Sequence, residues 1–105
     1  MTNDTICAPA TAPVNSPIAV IRVSGPETFR AVASLFSRPD SLEHRRAVYG
    51  SILDGGSIVD DVVVVTYRGP SSFTGEDMSE ISCHGNPVVV NRILGLLLSR
   101  GLRMA

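Results

Sequence analysis

Ser72-Phe73-Thr74-Gly75-Glu76-Asp77-Met78-Ser79-Glu80-Ile81-Ser82-Cys83-His84-Gly85-Asn86-Pro87 decides how the rest of the chain is read. Its first part is a turn, since Gly75 accepts positive φ and Glu76-Asp77 favour water. Residues 78–83 then alternate polar and apolar, the period of a strand with one face buried. After Cys83 the pattern changes to a helix start. Gly85 relaxes the backbone, Asn86 can accept from the first free helical N–H groups, and Pro87 suits the first helical position because its missing donor is not needed there.

Downstream, residues 87–100 read as a helix rich in Val, Ile and Leu, with Asn91, Arg92, Gly95 and Ser99 as its narrow polar stripe and Gly101 as its C-terminal stop. So apolar a helix exceeds what one small sheet covers from one side, so further chain or a second copy is expected to cover the surplus. Residues 102–105 begin another strand. Upstream, residues 47–53 and 58–68 read as strands joined by Asp54-Gly55-Gly56-Ser57, a hairpin signal. The unbroken Val62-Val63-Val64-Val65 predicts a strand covered on both faces.

Nearer the N-terminus, residues 5–10 predict a brief edge strand before Pro13, and residues 12–17 a loop. Residues 18–24 predict a strand with Ala19, Ile21 and Val23 on one face and Ile18, Val20, Arg22 and Ser24 on the other. Ser24-Gly25-Pro26-Glu27 has capping-box spacing, and Phe29, Val32, Ala33 and Phe36 mark the buried stripe of a helix that ends before Pro39. Residues 37–46, with His44 and the Arg45-Arg46 pair, predict a solvated connection. The order β-β-α-β-β-β-α predicts an α+β fold with two helices and a mixed, mainly antiparallel, partly barrel-like sheet; periodicity alone does not separate it from a ferredoxin-like sandwich.

With 105 residues, 44% of them hydrophobic and 18% charged, the chain is sized for one globular domain with one core. It has no run near the roughly 20 apolar residues of a membrane span, and its start lacks the basic and apolar segments of a leader, so no membrane contact and a cytoplasmic location are expected. All nine basic residues are arginine and the net charge is −1. Scattered arginines disfavour nucleic-acid binding by this segment alone, and the absence of lysine excludes both Schiff-base chemistry and the Walker lysine of a nucleotide-binding loop. Cys7 and Cys83 have no metal-ligand spacing and are expected to be reduced, packed hydrophobes.

Glu76, Asp77, Glu80, Cys83 and His84 invite an acid/base or nucleophilic reading, but adjacent Cys83 and His84 point to opposite faces of a strand. Glu76 and Asp77 belong to a wet turn, and Asp60-Asp61 read as hydrated carboxylates beside a hairpin. No catalytic residue and no metal ligand is assigned. Arg22 and Glu80 differ, because each is a charge inside an apolar strand and must find water, an opposite charge or a ligand. They are equally consistent with an ion pair and with a binding site. A carboxylate accepts two parallel hydrogen bonds from a ring with adjacent amino and N–H donors, as pterins and guanines have, and an arginine donates to ligand oxygens.

Asp4-Thr5-Ile6 with Ala10-Thr11, Ile21-Arg22-Val23-Ser24-Gly25, and Ser72-Phe73-Thr74-Gly75-Glu76-Asp77 with Glu80-Ile81-Ser82-Cys83-His84-Gly85 resemble the start of the tRNA modification GTPases of the MnmE (TrmE) family. The resemblance spans nearly the whole chain. It implies that residues 1–105 are an N-terminal tetrahydrofolate-binding and homodimerisation domain, followed in the family by helical and GTPase domains. It also implies work with the flavoprotein MnmG on C5 of the wobble uridine of tRNA, with a 5-formyl or 5,10-methylene type folate as one-carbon source. GTP, Mg and K ions would belong to the GTPase domain alone. Arg22 and Glu80 match family positions that contact the folate, and further contacts come from residues beyond Ala105. Ala12-Pro13-Val14-Asn15-Ser16-Pro17 stands where the family usually has a glycine-rich loop, a stiffer and bulkier approach to the site. The alternatives from the residues are a non-catalytic assembly module with a vestigial ligand site and a small free-standing acid/base enzyme.

Overall fold

Alternating burial along the strands divides the sheet into a face packed under helices and a face left open. The protein is described by a computed structural model covering residues 4–105; residues 1–3 of the N-terminal stretch considered for a leader lie outside the described residues. The elements are β1 (Ile6–Pro9), β2 (Ser16–Ser24), α1 (Thr28–Leu35), a 3-10 turn (Pro39–Ser41), β3 (Ala47–Asp54), β4 (Ser57–Tyr67), β5 (Met78–Gly85), α2 (Pro87–Ser99) and β6 (Arg103–Met104). The strands form one sheet in the order β3-β4-β5-β2-β1-β6, antiparallel throughout except for the parallel β1–β6 pair. The α+β architecture and mixed sheet match expectation, and the sheet stays open rather than closing into a barrel. β1 is not the edge, because Arg103 and Met104 pair with Ile6 and Cys7.

Ala19, Ile21 and Val23 of β2, Val62 and Val64 of β4, and Ile81 and Cys83 of β5 form one core with Ala31, Val32 and Leu35 of α1 and Ile93, Leu94 and Leu97 of α2. Both helices therefore serve the same face. On the opposite face Ile18 is 61% exposed, Tyr49 62% and Val63 36%. The four valines of β4 are thus covered on one side only, contrary to expectation. No third layer exists among the described residues to bury Val63. Residue type reported high β-propensity at those positions, not double coverage.

Helix α1 departs from its expected start and stripe. Ser24 and Glu27 form no capping box: Ser24 turns to the loop before β5, and Glu27 Oε1 accepts from Arg30 Nε at 2.6 Å. No side chain caps the start of α1; the Thr28 hydroxyl instead donates to Gly25 O at 2.8 Å, tying the helix start to the preceding turn. The buried stripe is Thr28, Ala31, Val32 and Leu35, with Phe36 also buried beyond the helix end, while Phe29 and Ala33 are half-buried. The start of α2 follows its sequence: Asn86 Oδ1 accepts from Val88 N at 2.8 Å with Pro87 first in the helix. Leu97 is fully buried and the surplus apolar surface of α2 reduces to Val88, 67% exposed, and Leu98, 40% exposed.

Gly85 ends β5 where the backbone of Ser16 crosses it, and a Cβ there would collide with the Ser16 carbonyl, which cannot move without breaking the β2–β5 register. Gly85→Ala is expected to destabilise the fold by about 1–3 kcal/mol, an overpacking cost. Urea unfolding measures it, and a midpoint equal to wild type would show that the strand junction yields freely.

Candidate functional site

Strand register brings the two charges together. Arg22 of β2 and Glu80 of β5 are direct partners across the antiparallel pair, both on the open face. Glu80 Oε2 accepts from Arg22 Nη2 at 2.7 Å and from Nε at 3.2 Å. The side chains keep 33% and 26% of their surface, so the pair is neither dry nor fully solvated. Both donors converge on one oxygen, and among the described residues Oε1 of Glu80 accepts nothing else. The ion pair, one of the two readings that the sequence left open, is therefore present, with half of the carboxylate still able to accept a donor.

The loop between β4 and β5 wraps the end of this face. Ser24 Oγ donates to Glu76 Oε1 at 3.0 Å and lies 2.8 Å from Thr74 Oγ1. Asp77 accepts from Gly69 N at 3.0 Å through Oδ1, and its carbonyl accepts from Gly25 N at 2.9 Å. Glu76 and Asp77 are thus not free hydrated acids but ties between the loop and the β2–α1 turn. The same loop sets the Phe73 ring over Arg22, with 4.9 Å between the ring centroid and Cζ. Nothing in the sequence pattern indicated this contact, because it joins a loop tip to a strand far away in the chain.

A second pair was also missed. Asp60 Oδ2 accepts from the His84 backbone N–H at 2.8 Å while Oδ1 lies 2.7 Å from His84 Nδ1. The side chain of Asp60 retains only 11% exposure. A carboxylate at that distance assigns the proton to Nδ1 and leaves Nε2 on the open face. The signal was the Asp60-Asp61 doublet in a strand, but only the pairing of β4 with β5 shows which strand receives it. Asp61 instead accepts from Ser51 Oγ at 2.9 Å across β3. Ile18, Tyr49, Val63, Ser82 and His84 line a cleft of about 160 Å³ beside these groups. His44, expected to be merely solvated, accepts from Arg68 N at 2.8 Å through Nδ1. No group of three or more metal-ligating side chains occurs among the described residues, and no helix there is long and apolar enough to cross a membrane.

The family model described as GTP-binding protein TrmE N-terminus matches residues 5–105. The chain is 46% identical over 97% of its length to the tRNA modification GTPase MnmE of Thermotoga maritima, and 44% identical, again over 97%, to that of Porphyromonas gingivalis. It is 42% identical over 98% of its length to the MnmE of Malacoplasma penetrans. In each case it spans 23% of the relative, less than a quarter of those longer proteins.

Cys83 lies on the packed face, opposite His84, so the two form no nucleophile and base. Burial, reinforced by the negative charge of Asp60, pushes its thiol up to about 11, and burial also raises Cys7. The neutral thiol is thus the stable form at every pH below that value, and at pH 8 only about one Cys83 in a thousand is ionised. Both thiols are expected to resist iodoacetamide at pH 8 in the folded protein and to react fully in denaturant. Stoichiometric native labelling, read by mass spectrometry, would contradict this.

Proposed function

The chain belongs to the TrmE N-terminal family, and from that membership we propose that it binds a tetrahydrofolate derivative on the open face of its sheet and pairs there with a second copy of itself. The observation that carries this is the Arg22–Glu80 pair, a guanidinium and a carboxylate with one uncommitted oxygen, held side by side on the open face of the sheet. Glu80 offers two acceptors to the amino and N–H edge of the pterin, one immediately and one when the guanidinium turns away. Arg22, released from Glu80, offers its donors to the ligand's oxygens. The folate brings a one-carbon unit; the residues here bind and orient it.

The longer protein of which such a domain is the first part we take to be a tRNA modification GTPase, working with the flavoprotein MnmG on C5 of the wobble uridine. The printed names of the relatives support that reading. GTP and its metal ions would act in the downstream domain, since no lysine is available here for a phosphate loop. A small acid/base enzyme has less support, because Cys83 and His84 face opposite ways and Glu76 and Asp77 are engaged in loop ties.

Glu80→Gln replaces an acceptor with a donor that faces the ligand's own donor. Affinity for 5-formyltetrahydrofolate is expected to fall by around two factors of ten in calorimetric titration of the full-length protein, with the unliganded melting temperature little changed. Unchanged affinity with a lowered melting temperature would reduce Glu80 to the structural partner of Arg22.

Pairing rests on Ile18, Tyr49 and Val63, apolar side chains exposed together on the open face. A carboxylate at the centre of such an interface is costly, so Tyr49→Glu is expected to shift sedimentation from dimer to monomer, while Val88→Glu on α2 leaves the dimer intact. A monomeric wild type at high concentration would overturn the pairing.

A further inference from the structure

Phe73 is 83% exposed, yet it does not sit on a loose tip. Ser72 Oγ donates to the Glu76 carbonyl, Gly75 N donates to Ser72 O at 3.3 Å, and Ser24 holds Glu76, so the residues on both sides of the ring are hydrogen-bonded into place. The ring rests on the Arg22 guanidinium, which in turn reaches Glu80 at 2.7 Å. Ring, cation and carboxylate thus follow one another toward one end of the open face, on the central strands β2 and β5.

A large apolar side chain that gains only one cationic contact leaves most of its surface in water. Its fixed presentation beside two charged groups gives it a use that packing does not. We propose that Phe73 is the aromatic wall of the ligand site, stacking on the flat part of the fused ring whose donor edge meets Glu80. Arg22 occupies that stacking position in the structure. When the ligand enters, the guanidinium leaves both Glu80 and the ring, and a planar heterocycle replaces it against Phe73. This rests on the folate reading above and names the group that selects a flat ring over an aliphatic donor of the same hydrogen-bonding pattern.

The test titrates 5-formyltetrahydrofolate into the full-length wild type, Phe73→Ala, Phe73→Tyr and Glu80→Gln, with thermal melts and sedimentation of each. Phe73→Ala is expected to weaken binding by about tenfold or more, the scale of losing one ring-on-ring stack. Phe73→Tyr keeps the ring and is expected to remain within about twofold of wild type. Because the ring is 83% exposed, the unliganded melting temperature of both should match wild type. If wild type binds, Glu80→Gln weakens it and Phe73→Ala does not, the wall is overturned and the folate reading stands. Equal losses in Phe73→Ala and Phe73→Tyr would overturn stacking, as would Phe73→Ala that dissociates the dimer at unchanged affinity, which would assign the ring to the interface. A wild type that binds no folate overturns both proposals.

Discussion

Everything in this domain depends on the sheet being covered on one face only. Two short helices suffice to bury Ala19, Ile21, Val23, Val62, Val64, Ile81 and Cys83, and these residues have one parity along their strands. Residues of the other parity are then committed to the opposite face, because a strand cannot turn a single side chain over without shifting its register. Arg22 and Glu80 are of that second parity. Were a third layer present, their pair would be stripped of water and would cost several kcal/mol to hold. With the face open, it keeps a third and a quarter of its surface, and one carboxylate oxygen remains usable.

Stability and presentation are joined through the loop before β5. Its anchors are not apolar contacts but polar ties to the turn between β2 and α1, where Gly25, at φ 135°, passes so close to Thr5 that a side chain would collide with its backbone. Ser24, Thr28 and the carbonyl of Asp77 meet there. The helix that builds the core thus begins at the point that fixes the loop, and the loop fixes Phe73 over Arg22. Asp60 does comparable work at the other end of β5, where its carboxylate holds the backbone and ring of His84 together. Acidic side chains that pass for solvated surface in the sequence are, at both ends of β5, its fastenings.

Local signals carried far where the deciding physics is local. Asn86-Pro87 starts a helix and Gly55-Gly56 turns a hairpin because φ preference and a free N–H need only neighbouring residues. Alternation in residues 18–24 likewise separated Arg22 from Ala19, Ile21 and Val23, since side-chain period is a property of the strand itself. The family match rested on short motifs of the same kind. The same reasoning failed where a partner distant in the chain had the last word. Ser24 and Glu27 have capping spacing, but Glu76 and Arg30 claim them.

What the sequence determined by itself was the element order, the two faces of β2 and β5, and the two charges that needed an explanation. Tertiary structure decided which faces are covered, so that Val62 is buried and its neighbour Val63 is not. It also decided that Arg22 and Glu80 lie directly opposite each other, that Asp60 rather than Asp61 meets His84, and that Phe73 lies over the guanidinium. The physical reason is that these are register and packing choices. Each depends on how one strand or loop is set against another far away in the chain, and no window of sequence contains both halves of such a contact.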